Sequence, residues 1–396
     1  MTEDFNLRLL SAATAADLAR EIARIEPYPE RIAATASKGT FLLVHAAGLG
    51  PTAAMILKQE LLALDADCVI SPAAYLGKDE TLTDALIMGT LRQLRALVPR
   101  LRPLPTGRLP ELAEQLEALL ARSAMPPPAM PLRGSMLRWG ERTYVMGIVN
   151  VTPDSFSGDG LLRHGAEAVE AAFDQGRRFV EEGADLLDVG GESTRPGAKP
   201  VEAAEEAARV IPVIAALRAR LDTPISVDTF KAEVAAAALN AGADLVNDVW
   251  GLRRPEGGWN EALARLVAAR DVPIVIMHNR RAVAASGSVG GHYQAVQYDD
   301  LLGDIIRELR ASIRFAEECG IRRERIIVDP GIGFGKTPDQ NVELLRGLGQ
   351  LRSLGLPILL GTSRKSFIGR ALNLPPDERV EGTAATVALG IGAGAD

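Results

Sequence analysis

Gly183-Ala-Asp-Leu-Leu-Asp-Val-Gly190 and Gly242-Ala-Asp-Leu-Val-Asn-Asp248 are built on one plan. A Gly-Ala-Asp tripeptide leads into a short apolar run, and the run gives way to small and polar residues. A run without polar alternation belongs to a strand covered on both faces, as in a parallel sheet flanked by helices. Outward from these segments the rhythm recurs at Val145 to Val149, Leu186 to Val189, Ile225 to Val227, Leu245 to Val246, Ile274 to Met277, Ile326 to Val328 and Ile358 to Leu360. A helix-length amphipathic segment follows each run. Seven βα units in series favour an α/β fold of the (β/α)8 TIM-type barrel over a doubly wound sheet. Gly-Ala-Asp returns as Gly394-Ala395-Asp396, the last three residues, so seven strands are expected in this chain, which stops where the eighth is due.

The chain has 396 residues, room for a barrel and a smaller domain, each with its own core. Residues 122 to 135 hold four prolines and a glycine, which are expected to prevent any regular element. This sets the expected organisation: a small α/β domain at 1–121, a Pro-rich linker at 122–139 and the barrel at 140–396. In the small domain Phe41 to Val44 and Asp67 to Ile70 read as strands. Ala53, Leu57, Leu61 and Leu64 form one helical stripe, Ile87, Leu91, Leu94 and Val98 a second, and residues 109 to 121 a third helix. No catalytic motif stands out there.

A net charge of -7 supplies no basic field for a polyanion, so neither nucleic acid nor an acidic membrane surface is an expected partner. The two cysteines, Cys68 and Cys319, are far apart, and the four histidines (45, 164, 278 and 292) lack metal spacing. The acidic N-terminus has no signal-length apolar core, and no run reaches the roughly 18 apolar residues of a membrane span. A cytoplasmic protein is expected.

In a (β/α) barrel the reactive groups stand at the carboxyl ends of the strands. Strand one leads into Asn150-Val-Thr-Pro-Asp-Ser-Phe-Ser157, strand two into Gly190-Gly-Glu-Ser-Thr-Arg-Pro-Gly197, and strand three ends at Asp228. Strand four ends at Asn247-Asp248, strand five at Met277-His278. Strand six gives Asp329-Pro-Gly-Ile-Gly-Phe-Gly-Lys336 and strand seven Gly361-Thr-Ser-Arg-Lys-Ser366.

In that order and at those strand ends, residues 140 to 396 closely resemble dihydropteroate synthase. Ser-Thr-Arg-Pro-Gly and Ser-Arg-Lys-Ser are the specific segments; a glycine-rich loop alone would signal only turns. The resemblance implies condensation of a dihydropterin-methyl diphosphate with 4-aminobenzoate, giving dihydropteroate and diphosphate for folate synthesis. It assigns Asp329 to the adjacent N–H and amino group of the pterin, which a carboxylate accepts in two parallel bonds. Asn247 suits the mixed edge of the same ring, being both donor and acceptor. Asp228 is implied to contact the pterin and offset positive charge at the reacting carbon. Met277 and Phe334 would be apolar walls, Gly333 a point of close backbone approach, and Lys365 a donor to the ring carbonyl. Thr194, Arg195, Pro196 and Ser366 are implied around 4-aminobenzoate, with free helix N–H groups near Ser366 for its carboxylate. Lys365, Asp228 and Arg195 are the catalytic candidates. Asn150 is implied to help hold Mg2+, the expected cofactor, against the diphosphate. A homodimer is the expected assembly.

Local explanations compete with these roles. Asp and Asn also cap and turn backbone, although three such strand ends converging on one core argue against that reading here. Asp188 and Glu192 read either as supports of the loop after strand two or as ligand contacts, His278 as a packed or hydrogen-bonded strand residue, and Lys336 as a solvated lysine. Two other functions stay open: a barrel that passes the methyl group of methyltetrahydrofolate to a corrinoid protein, and a pterin-binding fragment without turnover. The second arises because the family's last strand carries an Arg-x-His that grips diphosphate. A version extended through strand eight is expected to turn over far faster. For the N-terminal domain regulation, dimer contacts and stability are all open.

Overall fold

A computed structural model describes residues 14–25, 29–76, 82–123, 125–151, 166–193, 200–280 and 296–396. The chain divides into two compact units, Met1–Met125 and Pro126–Asp396. Among the described residues no helix is long and apolar enough to cross a membrane.

In the first unit the strands β1 (Phe41–Leu49), β2 (Asp67–Ile70) and β3 (Thr83–Thr90) form an antiparallel sheet in the order β1-β3-β2. Helices Pro51–Leu62, Leu91–Leu101 and Leu109–Ser123 supply the other side of its core. Ala53, Leu57, Leu61, Leu94, Leu97 and Leu116 close on Cys68 and Ile87 there. Ile87 is therefore a strand residue, against the helical stripe expected for it. Its alternately buried strand runs to Thr90, which caps the next helix in a reciprocal box with Gln93. An apolar residue just ahead of a helix start fits helical spacing and strand alternation alike, so spacing alone misassigned it.

The second unit opens with a hairpin, β4 (Met130–Leu132) and β5 (Ser135–Leu137), in the stretch expected to lack regular structure. Arg133 and Gly134, at φ +40° and +69°, make the two-residue turn with both central residues left-handed that matches strand twist. Pro131 is tolerated because a two-stranded ribbon leaves one edge of each strand without a partner. Met130, Leu132, Leu137 and Trp139 cover Leu245, Val275 and Ile327, sealing one end of the strands that follow.

Those strands are β6 (Met146–Asn150), β7 (Leu186–Gly190), β8 (Ile225–Asp228), β9 (Leu245–Asp248), β10 (Ile274–Met277) and β11 (Ile326–Asp329). They form one parallel sheet in the order β11-β10-β9-β8-β7-β6, with a helix between successive strands. Leu187, Val189, Ile225, Val227, Val246, Ile274 and Ile276 are wholly buried, as runs without alternation require. The seventh run is not a full strand. Ile358 makes a single parallel bridge to Val328, because Pro357 has no N–H and the next rungs do not form.

The Gly-Ala-Asp tripeptides have one mechanical purpose. The Asp185 N–H donates to the Val145 carbonyl and its carboxylate accepts from the Val145 N–H at 2.8 Å. Asp244 does the same to Ile225, its carboxylate accepting at 2.9 Å, and Asp396 to Ile358 at 3.0 Å. Each aspartate thus fastens the start of its own strand or terminal segment to the start of the preceding one. The Asp396 carbonyl also accepts from the Tyr144 N–H at 2.8 Å, so the third tripeptide lies between the seventh run and the start of β6.

Candidate active site

The carboxyl ends of four neighbouring strands put three polar residues and a glycine in one register row. Asn150 pairs with Gly190, Gly190 with Asp228, and Asp228 with Asn247. Gly190 keeps that row open: a Cβ there would lie 3.4 Å from the Asp228 Oδ2 and 3.6 Å from the Asn150 Oδ1. The Asn247 side-chain amide donates to the Asp188 Oδ2 at 3.0 Å, which fixes its orientation. Asp188 therefore supports Asn247, not the loop after β7 that one of its readings expects. Glu192 is the one that braces that loop, through an ion pair with Lys231 at 2.5 Å.

On the other side of the site Met277 pairs with Asp329 at the ends of β10 and β11. Asp329 is buried, and one of its oxygens accepts from the Gly331 N–H at 2.6 Å. Lys365 donates to the Ile332 carbonyl and stands 4.9 Å from the centre of the Phe334 ring. Gly333, at φ +83°, is held by its N–H donating to the Asn341 side chain at 2.7 Å. Val249, Met277 and Phe334 form a separate apolar cluster with Trp250 packed on it. Val249 and Trp250 were not singled out in the sequence. Their only signal was to follow the polar pair Asn247-Asp248, whose second member is a turn former: Asp248 accepts from the Trp250 and Leu252 N–H groups at 2.9 and 2.6 Å.

Burial drives the electrostatics. The Asp228 carboxyl is pushed well above the ordinary range, first by burial and then by the negative charges of Asp188, Glu206, Asp248 and Glu192. Burial raises Asp329 too, with Lys365 as the largest opposing influence. Lys365 is itself lowered by burial against the pull of Asp329 and Asp228. Two acids and one lysine within Coulombic reach make a site whose proton occupancy a polar ligand can reset. Burial raises Asp248 to about 7.

Ser366 is the first residue of the short helix Ser366–Leu372 and is half-buried. Asn150 is exposed at the end of β6. Thr194, Arg195 and Pro196 lie outside the described residues, as do residues 152 to 165 of the first loop. Lys336 corrects an expectation: it is 2% exposed, not solvated. His278 is a buried, hydrogen-bonded residue at the end of β10, as expected.

His278 gives the protein a pH dependence of known sign. Burial, followed by the charge of Lys336, lowers its pKa to about 3 from an ordinary value near 6.5. The unfolded chain binds the extra proton between those values, so this contribution to stability is complete above about pH 6.5 and lost as pH falls toward 3. Between pH 6.5 and 5 the unfolding free energy is expected to fall by roughly 1–2 kcal/mol, read from urea midpoints. Replacing His278 with leucine should flatten that slope; an unchanged slope would refute the assignment.

A row of amide and carboxyl groups at strand ends, an apolar wall and a half-buried lysine thus stand together in one α/β unit. The chain belongs to the pterin-binding enzyme family, whose model matches residues 146–396. Its relatives include the dihydropteroate synthase of Clostridium beijerinckii, 46% identical over 252 residues, 64% of this chain and 86% of that protein. The Xanthomonas albilineans dihydropteroate synthase, solved with 4-aminobenzoic acid, is 45% identical, with a TM-score of 0.59 over 68% of this chain and 90% of that one. The fold is thus the barrel of those enzymes. A probable bifunctional folylpolyglutamate synthase/dihydropteroate synthase of Haloferax volcanii is 40% identical over 87% of this chain, and the chain covers 39% of it. That match reaches into the first unit, because the second accounts for only about two thirds of the residues.

Proposed function

We propose that the chain is the transferase that joins a dihydropterin-methyl diphosphate to 4-aminobenzoate in folate biosynthesis, and that its strand ends hold both substrates. The observation that carries the assignment of residues is the register row Asn150, Gly190, Asp228 and Asn247, standing with Asp329 and Lys365 beside one apolar wall. Asp329 accepts from the paired N–H groups of the pterin, Asn247 reads the mixed edge, and Lys365 donates to the ring carbonyl. Met277 and Phe334 flank the ring, and the backbone at Gly333 comes close to it. The aniline nitrogen of 4-aminobenzoate forms a bond to the exocyclic methylene carbon as the bond to diphosphate breaks, and the nitrogen gives up a proton. Positive charge grows at that carbon, and Asp228 offsets it in its ionised form. Thr194, Arg195, Pro196 and Ser366 receive 4-aminobenzoate, with the free helix N–H groups near Ser366 matched to its carboxylate.

Asn150 offers one exposed amide oxygen at the mouth of the row, and no group of three His, Cys, Asp or Glu among the described residues could hold a metal. A single hard oxygen donor suits Mg2+ that arrives already coordinated by diphosphate, and it does not suit a resident zinc. When bound, the ion supplies charge neutralisation of the leaving diphosphate. A cytoplasmic homodimer completes the reading.

The test supplies a dihydropterin-methyl diphosphate, 4-aminobenzoate and magnesium to the purified chain. Dihydropteroate and diphosphate are expected in a one-to-one ratio. Methyl transfer from methyltetrahydrofolate instead, or pterin binding without product, would overturn the proposal.

A further inference from the structure

The chemistry above leaves unused one of the most deeply buried charged side chains among the described residues, Lys336. It lies at the end of the glycine loop that carries Gly333 and Phe334. Its Nζ donates to the Gly331 carbonyl at 2.9 Å and to the Phe334 carbonyl at 3.1 Å, and meets the His278 Nδ1 at 2.9 Å. Burial lowers the Lys336 pKa to about 7, and the geometry favours the ammonium form, whose three donors meet three acceptors. The arrangement requires the His278 Nδ1 to be an unprotonated acceptor and its Nε2–H to face outward. The Glu308 carboxylate accepts there, at 3.0 Å. Arg280 holds Glu308 in place, with its Nε 2.9 Å from the Oε1. The low pKa of His278 agrees with a neutral ring.

The loop is seated on the same support. Gly331, at φ +70°, has no room for a Cβ, which would fall 1.9 Å from the His278 carbonyl oxygen. A Cβ on Gly335 would fall 2.5 Å from the Arg280 carbonyl carbon. The Tyr298 hydroxyl donates to the Gly335 carbonyl at 3.0 Å. One side of the loop therefore rests on residues 278–280 with Lys336 as its tie, while its other side carries the Phe334 wall and the carbonyl that receives Lys365.

We propose that Lys336 and His278 are a positioning pair for the pterin substrate: the ammonium, clamped by two carbonyls of its own loop and by the His278 ring, holds residues 331–336 in the shape that lines the ring pocket. Glu308 selects the tautomer of His278 that can accept from lysine. The pair touches no reacting atom and acts through Gly333, Phe334 and Lys365. This inference rests on the pterin reading of the site.

The experiment measures binding of an oxidised pterin with a hydroxymethyl group at C6, and KM for each substrate, in the full chain and three variants. Lys336→Met leaves two carbonyls and the His278 Nδ1 without a partner, and His278→Leu removes the acceptor. Both are expected to weaken pterin affinity by about tenfold or more, since displacements near 1 Å cost up to 100-fold at preorganised sites. KM for 4-aminobenzoate should stay within about twofold under the same argument. His278→Asn places an amide oxygen where Nδ1 stood and should stay within about threefold of the parent, a rescue that packing alone would not give. Amide exchange of residues 331–336 should quicken in Lys336→Met. Folded variants that bind pterin as the parent does would overturn the inference alone, and so would equal losses in His278→Asn and His278→Leu. If Lys336→Met fails to fold, the two His278 variants decide. A parent chain that does not bind the pterin overturns the functional reading and this inference together.

Discussion

Asp329→Ala is expected to lower kcat/KM for the dihydropterin diphosphate by on the order of 1,000-fold, with little change in KM for 4-aminobenzoate. Two parallel hydrogen bonds from the pterin to a buried carboxylate contribute roughly 2 kcal/mol each, and about 4 kcal/mol together corresponds to that factor. The low local dielectric raises the cost of leaving the ligand's N–H groups unpaired. The Gly331 N–H also loses its acceptor, at 2.6 Å, so the loop loosens in the same direction. Asp329→Asn keeps an acceptor of the same shape but gives up the charge and one acceptor position, and should lose less. Steady-state kinetics and pterin titration on variants with unchanged melting curves check this. A loss below about tenfold in Asp329→Ala would remove Asp329 from the ring site, since even one such bond is worth more than that.

The largest effect on stability is expected at Lys231. Its ammonium donates to Glu206, 1% exposed at the side chain, to Glu192 at 2.5 Å and to the Val201 carbonyl at 2.6 Å. Removing one partner of a buried ion pair leaves charge without compensation and typically costs 3–5 kcal/mol, so Lys231→Met should lower the unfolding free energy by about that amount. Adding Glu206→Gln should recover part of it, because the deepest stranded charge is then gone. Urea denaturation at neutral pH decides between them; a loss under about 1 kcal/mol would mean that the cluster is solvated in solution. Activity should fall as well. Glu192 and Glu206 already raise the pKa of Asp228, and without Lys231 they would oppose its ionised form more strongly.

Much of this protein was legible along the chain, and the exceptions have definite causes. Strands buried on both faces announce themselves by unbroken apolar runs, so β7 to β11 fell where the sequence put them; β6 fell there too, although Ile148 and Asn150 are exposed. Ile358 to Leu360 has the same composition, yet a ladder needs partners in register, and there only one bridge forms. Ile87 and the hairpin at Met130–Leu137 were misjudged because short apolar spacing and proline counts do not report strand pairing. Asp228, Asn247 and Asp329 could be nominated one at a time from their places at strand ends. The row that joins Asp228 to Asn247 could not, because it depends on the stagger between strands.

The sequence by itself determined the α/β architecture, the family and the polar residue types at each strand end, since periodicity and local motifs are written in consecutive residues. Only the tertiary structure decided what each charge does. It turned Asp188 into the support of Asn247, Glu192 into a partner of Lys231, and Lys336 from a surface lysine into a buried tie. The physical reason is that burial and distant partners set the role of an ionisable side chain, and both come from segments remote in the chain, as with His278 and Lys336, 58 positions apart.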